Sequence, residues 1–247
     1  VVRLDQALVE RGLFPSRERA KRAIMAGEVR VNQQVARKAS DAIREGDAIE
    51  IGEAERFVSR GGQKLERALS HFNLVVADLT ALDIGASTGG FTDCLLQRGV
   101  RRVYAVDVGH GQLAWKLRQD SRVVVMERTN ARTLTRASFS AEFEGADIAV
   151  ADCSFISLRK ILPPIVDLLK ASGKIVALVK PQFEAGKAEA DRGAGVIKDA
   201  AIHERVLRGI DAFVTDECGL RWAGVVESPL LGPAGNKEFL ALIEKQS

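Results

Sequence analysis

A chain of 247 residues, 46% hydrophobic and 28% charged, is long enough for one sizeable core plus a smaller module. Its 36 Lys and Arg against 33 Asp and Glu give a net charge of only +3, so any preference for anionic partners must come from how the charges are distributed. No apolar run approaches membrane-spanning length, and the first residues alternate in charge where a secretory signal needs an apolar stretch; a cytoplasmic protein without a membrane partner is expected.

Residues 1–52 read as a separate small module. Leu4, Ala7 and Leu8 stand at helical spacing before Gly12, and Ser16 opens a second helix whose apolar stripe is Ala20, Ala23 and Ile24, ended by Gly27. Val29–Val31 and Ala48–Ile51 are short strand candidates. Between residues 11 and 38 there are eight Lys or Arg against only Glu18 and Glu28, a local excess that the whole-chain charge conceals. Such a face is either ordinary solvated helix surface or a surface that tracks phosphates without reading bases. Residues 53–60 form a short charged connection with no flexible Gly/Ser linker, and residues 61–247 make up the larger part.

A helix after Gly61-Gly62 buries Leu65, Ala68, Leu69 and Phe72, and Lys64 in its first turn reads by position as a solvated side chain. Thr80–Thr92 then runs from an apolar stretch into a glycine-rich turn and out at helical spacing through Phe91, Cys94, Leu95 and Leu96. Gly85, Gly89 and Gly90 allow a sharp turn and close approach of a ligand to backbone amides. Asp107 closes the next apolar run about 20 residues further on, where an acidic side chain can accept from ribose hydroxyls. The pattern departs from Gly-x-Gly-x-x-Gly. It suggests a nucleoside-type cofactor without saying which one, and a purely structural strand-to-helix turn is the plainer alternative.

Val123–Met126 reads as a third strand, followed by Glu127-Arg-Thr-Asn130, with Asn130 a candidate for the base end of a nucleoside. Ala146–Asp152 is the fourth strand, ending in Asp152-Cys-Ser-Phe before a helix from about Leu158; Lys174–Pro181 is the fifth, ending at Lys180. Asp152 and Lys180 therefore both fall at carboxyl strand ends, the side on which open α/β sheets bind ligands. Residues 182–198 are polar and glycine-rich and are expected to form a loop that orders on substrate. A helix from about Ala200 to Phe213 and two final strands, the last opened by Glu238, complete the pattern; spacing alone does not select Glu238 over Lys237. Cys94, Cys153 and Cys218 are isolated and lack metal-ligand spacing, which argues for free thiols and no metal centre.

Several runs carry a family resemblance. In the small module these are Arg3-Leu-Asp, Gly12, Ser16-Arg17, Ala20–Ile24, Gly27-x-Val29-x-Val31-Asn32, Lys38 and Gly46-Asp47. Together they resemble the small RNA-binding α+β domain first recognised in a small-subunit ribosomal protein. The resemblance implies RNA contacts by Arg17, Lys21, Arg22 and Lys38, with Arg3 beside them. In the larger part, Ser59-Arg-Gly-Gly-x-Lys64-Leu, Asp83–Thr92, Asp107–Leu113, Glu127–Asn130, Asp152–Ser157, Val179–Glu184 and Ser228–Asn236 resemble the TlyA family. Its members are two-domain rRNA (cytidine-2'-O)-methyltransferases, historically labelled hemolysins, whose catalytic domain is of the FtsJ/RrmJ type.

That resemblance implies an α/β, Rossmann-like class I methyltransferase domain using S-adenosylmethionine and acting on ribosomal RNA, within ribosomal subunits or assembly intermediates. It further implies a Lys-Asp-Lys-Glu tetrad mapping to Lys64, Asp152, Lys180 and Glu238. The cofactor's methionine end would lie against Gly85, Ala86, Ser87 and Gly90, its ribose at Asp107 and its adenine near Val108 and Asn130, with Asp83 orienting the loop. Lys180 is expected to be central, as an ammonium stabilising the attacking 2'-oxygen or as an amine accepting its proton. Two other classes compete: a ribosome-assembly factor with a vestigial cofactor domain, which an intact tetrad disfavours, and a nucleotide-dependent oxidoreductase, for which no hydride-transfer constellation is evident. A membrane-lytic activity lacks a suitable apolar or amphipathic segment.

Overall fold

A computed structural model describes residues 1–52, 56–186, 189 and 195–246 of the chain, which divides into two compact units, Val1–Arg56 and Phe57–Ser247. Residues 53–55 of the expected connection and much of the expected loop at 182–198 lie outside the described residues.

In the first unit, β1 (Val2–Arg3), α1 (Leu4–Glu10), α2 (Arg17–Ala26), β2 (Val29–Val31), β3 (Gln34–Val35), β4 (Ala42–Ile43) and β5 (Ile49–Ile51) enclose a core centred on Leu4, Leu8, Ala20, Ile24 and Val29. The Ser16 hydroxyl accepts from Arg19 N and caps α2, and Gly27 ends it in the left-handed region at φ 79°. The strands are ordered β3-β2-β5, with β1 paired antiparallel to β4. The two-residue strands β1, β3 and β4 were not expected, because so short a run carries no alternation to read.

The second unit contains α3 (Gly61–His71), β6 (Thr80–Ile84), α4 (Gly90–Gln97), β7 (Arg102–Val106), α5 (Trp115–Arg118), β8 (Val123–Met126), β9 (Ala146–Ala151), α6 (Leu162–Leu168), β10 (Leu169–Val179), α7 (Pro181–Glu184), α8 (Ala200–Ala212), β11 (Leu220–Glu227) and β12 (Phe239–Lys245). Seven strands form one sheet in the order β11-β12-β10-β9-β6-β7-β8, parallel from β10 to β8 and antiparallel at β12 and β11. Side chains alternate between two cores: Leu82, Ile175 and Ala241 face α6 and α8, while Ala81, Val176 and Leu240 face α3 and α4. Covered on both faces, the central strands read as unbroken apolar runs.

The expected helix from about Leu158 is a 3-10 turn, Leu158–Lys160, followed by α6, because Pro163 and Pro164 are tolerated only in a first helical turn. The chain proceeds outward from β6 through β7 to β8 and then returns to β9 on the other side of β6. The carboxyl ends of β6 and β9 therefore flank a topological switch point, where a crevice opens.

Candidate active site

The turn leaving β6 is held by its neighbour strand, since Gly85 N and Ala86 N both donate to Val106 O, at 2.9 and 3.1 Å. Gly85 has φ 83°, and a Cβ there would lie 2.6 Å from Asp152 O, so only glycine lets the ends of β6 and β9 come together. Gly89, also left-handed at φ 95°, serves another purpose: a Cβ would collide with Leu117, so this glycine seats α5 and does not line the crevice. Asp83 is fully buried beneath the turn, where Oδ2 accepts from Thr92 Oγ1 at 2.6 Å and Oδ1 has no partner among the described residues. Burial, reinforced by the nearby Asp152 and Asp107 charges, pushes its carboxyl up to about 7. It orients the turn from below and touches neither cavity described next.

Two cavities meet here. One, of about 280 Å³, is walled by Gly85, Ala86, Ser87, Gly90, Lys64, Asp152, Ser154, Lys180 and Glu238, with Leu230, Leu231 and Pro233 across from them. The other, of about 360 Å³, is walled by Asp107, Val108, Gln112, Asn130, Phe155, Ile156 and Ile161. They share Gly85, Ser87, Asp152 and Ser154, so they are two arms of one crevice, the second more apolar. Asp107 accepts from Ser87 N at 2.8 Å and from Gly109 N at 2.6 Å; Asn130 caps a 3-10 turn by accepting from Arg132 N at 3.0 Å. Val108 is exposed at the rim.

The charged residues read from sequence meet in the first arm. Lys180, directly after β10, places Nζ 2.6 Å from Asp152 Oδ1 and 2.9 Å from Ser154 Oγ. An ammonium has three N–H bonds, and no third partner is present among the described residues. Lys64 is 8% exposed, contrary to the solvated position its place in a helix suggests, and pairs with Glu238 Oε2. Glu238, 1% exposed and immediately before β12, leaves Oε1 without a partner among the described residues. Lys237, the equally polar neighbour, turns outward to Glu227 at 3.1 Å. Ser154 was missed in the sequence, although it stands inside the Asp152-Cys-Ser-Phe run. The Cys153 thiol is pushed up to about 12, mainly by burial, so it stays a neutral wall group.

Phe155 was also overlooked: it is 91% exposed, adopts φ 62° and has its ring centroid 5.1 Å from that of Phe183. The turn carrying it is fixed by Glu184, which accepts from Ser157 Oγ at 2.6 Å and Leu158 N at 2.7 Å. A left-handed, solvent-facing aromatic beside a site is a strained arrangement of the kind found at functional positions.

In the first unit the basic residues are organised by an acid that sequence reading did not single out. Asp5, fully buried, receives Arg3 Nε at 3.0 Å and Arg17 at 2.8 Å, with Lys21 Nζ at 3.9 Å. The hydrogen bond from Arg3 and then that from Arg17 hold its carboxyl down at about 2. Arg22 pairs with Glu18 one turn away, and Lys38 is exposed without an ion-pair partner among the described residues. The five residues read as RNA-facing are thus brought together in part: Arg3, Arg17 and Lys21 share one carboxylate.

Comparison with known proteins places this geometry in a family. The FtsJ-like methyltransferase family matches residues 57–245 and the S4 domain matches residues 2–49. "Putative rRNA methyltransferase YqxC" of Bacillus subtilis is 50% identical over 96% of this chain and 84% of its own length. The "16S/23S rRNA (cytidine-2'-O)-methyltransferase TlyA" of Mycobacterium tuberculosis is 46% identical over 99% of this chain and 90% of its own. A solved structure, "Putative hemolysin from Streptococcus thermophilus", superposes with a TM-score of 0.77 at 48% identity, covering 100% of this chain and 89% of that one. With the sheet order, the crevice at the switch point and near full-length identity in agreement, the chain belongs to the TlyA family, an S4 domain followed by an FtsJ-like methyltransferase domain.

Proposed function

We propose that this chain transfers the methyl group of S-adenosylmethionine to the 2'-oxygen of a cytidine ribose in ribosomal RNA, in the cytoplasm and within ribosomal subunits or their assembly intermediates. The observation that carries the reading is the meeting of Lys64, Asp152, Lys180 and Glu238 in one arm of a crevice whose other arm suits a nucleoside. Cytidine and the ribosomal target come from what the relatives are named to modify.

The residues present fit the cofactor. Gly85, left-handed and seated against the backbone at the end of β9, lets the turn line both arms, Asp107 brings a carboxylate to the ribose position, and Val108, Ile156 and Ile161 give an apolar slot for adenine beside Asn130. When bound, the cofactor supplies a methyl group already made electrophilic by its sulfonium. The chain's own residues handle the oxygen. Asp152 and Ser154 take two N–H bonds of Lys180 and aim the third into the cavity, where it stabilises negative charge developing on the 2'-oxygen as the hydroxyl proton departs to solvent water. Lys64 and the unpartnered Oε1 of Glu238 offer a donor and an acceptor to the ribose, fixing its approach.

A 2'-hydroxyl within a stacked helix cannot enter this cavity, so the target nucleotide leaves its stack, and the exposed Phe155 ring at the mouth gives its base a surface to rest on. Residues 1–52 would hold the RNA by its phosphates, through Arg3, Arg17, Lys21, Arg22 and Lys38, while residues 61–247 do the chemistry.

The test is methyl transfer to separated ribosomal subunits and to naked rRNA, followed by mapping of the modified nucleotide. Lys180→Ala should abolish transfer while cofactor affinity is kept. Cofactor binding by the wild-type chain with no transfer to any of these RNAs would favour the assembly-factor reading.

A further inference from the structure

The loop after β7 forms one wall of the nucleoside arm, yet the ion pair that grips its far end lies outside both arms. Glu127, the residue after β8, has a side chain 15% exposed; its Oε1 accepts from Gly111 N at 2.8 Å and pairs with the Arg118 guanidinium. Arg118 Nε in turn donates to Leu113 O at 3.0 Å. One ion pair thereby grips the backbone on either side of Gln112. Gln112 lines the arm and accepts from Ser87 Oγ at 3.3 Å, and Asp107 at the head of the same loop holds Ser87 N and Gly109 N. Facing the same carboxylate is His110, with Nε2 3.8 Å from Oε2.

Packing gives this loop little order. Val108 is 70% exposed and His110 63% on its side chain, Gly109 and Gly111 add backbone freedom, and Leu113 is the first buried apolar residue. A loop so weakly packed must be ordered either by fixed polar ties in the free protein or by the ligand, and in the second case binding is weakened by the ordering entropy. The hydrogen bond from Arg118 keeps the Glu127 carboxyl below the usual carboxylate range, so the tie is ionic at neutral pH.

We infer that Glu127 and Arg118 are positioning residues for the nucleoside end of the cofactor: their pair pre-forms the Asp107–Leu113 wall and so sets cofactor affinity without touching the cofactor. The inference rests on the cofactor reading above. It separates a binding device behind the crevice from the transfer machinery inside it, because neither residue contacts Lys64, Asp152, Lys180 or Glu238.

The experiment is calorimetric titration of the full-length protein with S-adenosylmethionine and with S-adenosylhomocysteine, for wild type, Glu127→Gln, Arg118→Met and the double variant. Steady-state methyl transfer and amide hydrogen exchange across residues 108–113 accompany it. Each single variant should weaken both ligands by about tenfold, the effect of losing one charge-assisted hydrogen bond. The double variant should be no worse than the singles, kcat at saturating cofactor should stay close to wild type, and the loop amides should exchange faster in the unliganded protein. Wild-type affinity in both single variants, or a fall in kcat with Kd unchanged, overturns the inference alone. A wild-type chain that binds neither ligand overturns the cofactor reading and the inference with it.

Discussion

Removing one member of the Lys64–Glu238 pair tests both halves of the site description, its burial and its chemistry. Glu238→Ala leaves the Lys64 ammonium, 8% exposed, without its counter-ion. Stranding one partner of a buried ion pair costs about 3–5 kcal/mol, whereas replacing both partners by neutral groups of similar volume is often near neutral. For a domain of this size each kcal/mol moves Tm by about 2–4 °C, so the single variant should melt roughly 10 °C lower. Lys64→Met with Glu238→Gln should recover most of that loss and yet transfer no methyl groups. Chemical denaturation followed by fluorescence supplies the stabilities; labelled methyl transfer to ribosomal subunits supplies the activities. A single variant less than about 1 kcal/mol below wild type would refute the burial, at odds with the cost expected for a stranded charge. Transfer by the double variant near the wild-type rate would refute the chemistry.

Other expectations concern the surroundings. Asp83, raised to about 7, favours the fold fully below about pH 4 and loses that contribution as pH rises to 7; Asp83→Asn should remove a pH-dependent stability difference on the order of 4 kcal/mol between pH 4 and pH 8, read from urea midpoints. Asp5, lowered to about 2, behaves in the opposite sense: its contribution is present above about pH 4 and lost toward pH 2, so Asp5→Asn should destabilise at pH 7 and be indistinguishable from wild type in strong acid. Lys38→Ala should reduce the salt slope of RNA association by about 0.7–0.9 with folding unaffected, whereas an unchanged slope would remove Lys38 from the RNA face. Gly232→Ala should place a Cβ 2.5 Å from Glu238 Oε1, displacing that carboxylate and lowering kcat by roughly a hundredfold while cofactor affinity holds.

The strands of the large sheet were legible because both faces are covered and each runs as an apolar stretch to a polar stop; Asp152 and Lys180 could be placed at their ends on that ground alone. The burial of Lys64 and Glu238 was not. A lysine in a first helical turn and a glutamate at a strand start both look solvated, and each is enclosed only because the other, 174 positions away, neutralises it. Asp5 escaped notice for a similar reason: an acid beside basic residues reads as dilution of the charge, while in the fold it gathers Arg3, Arg17 and Lys21. Ser154 and Phe155 lay within a recognised run, but the turn that directs one inward and the other to solvent is set by contacts with the residues around Lys180 and Glu184.

The placement of β12 between β10 and β11 also orders events in time. In order of synthesis the glycine turn, Asp107 and Asn130 come first, then Asp152 and Lys180, and Glu238 comes with β12, the last strand among the described residues, which lies between β10 and β11 in the sheet. The Lys64–Glu238 pair therefore cannot close until β12 has been made and seated between β10 and β11.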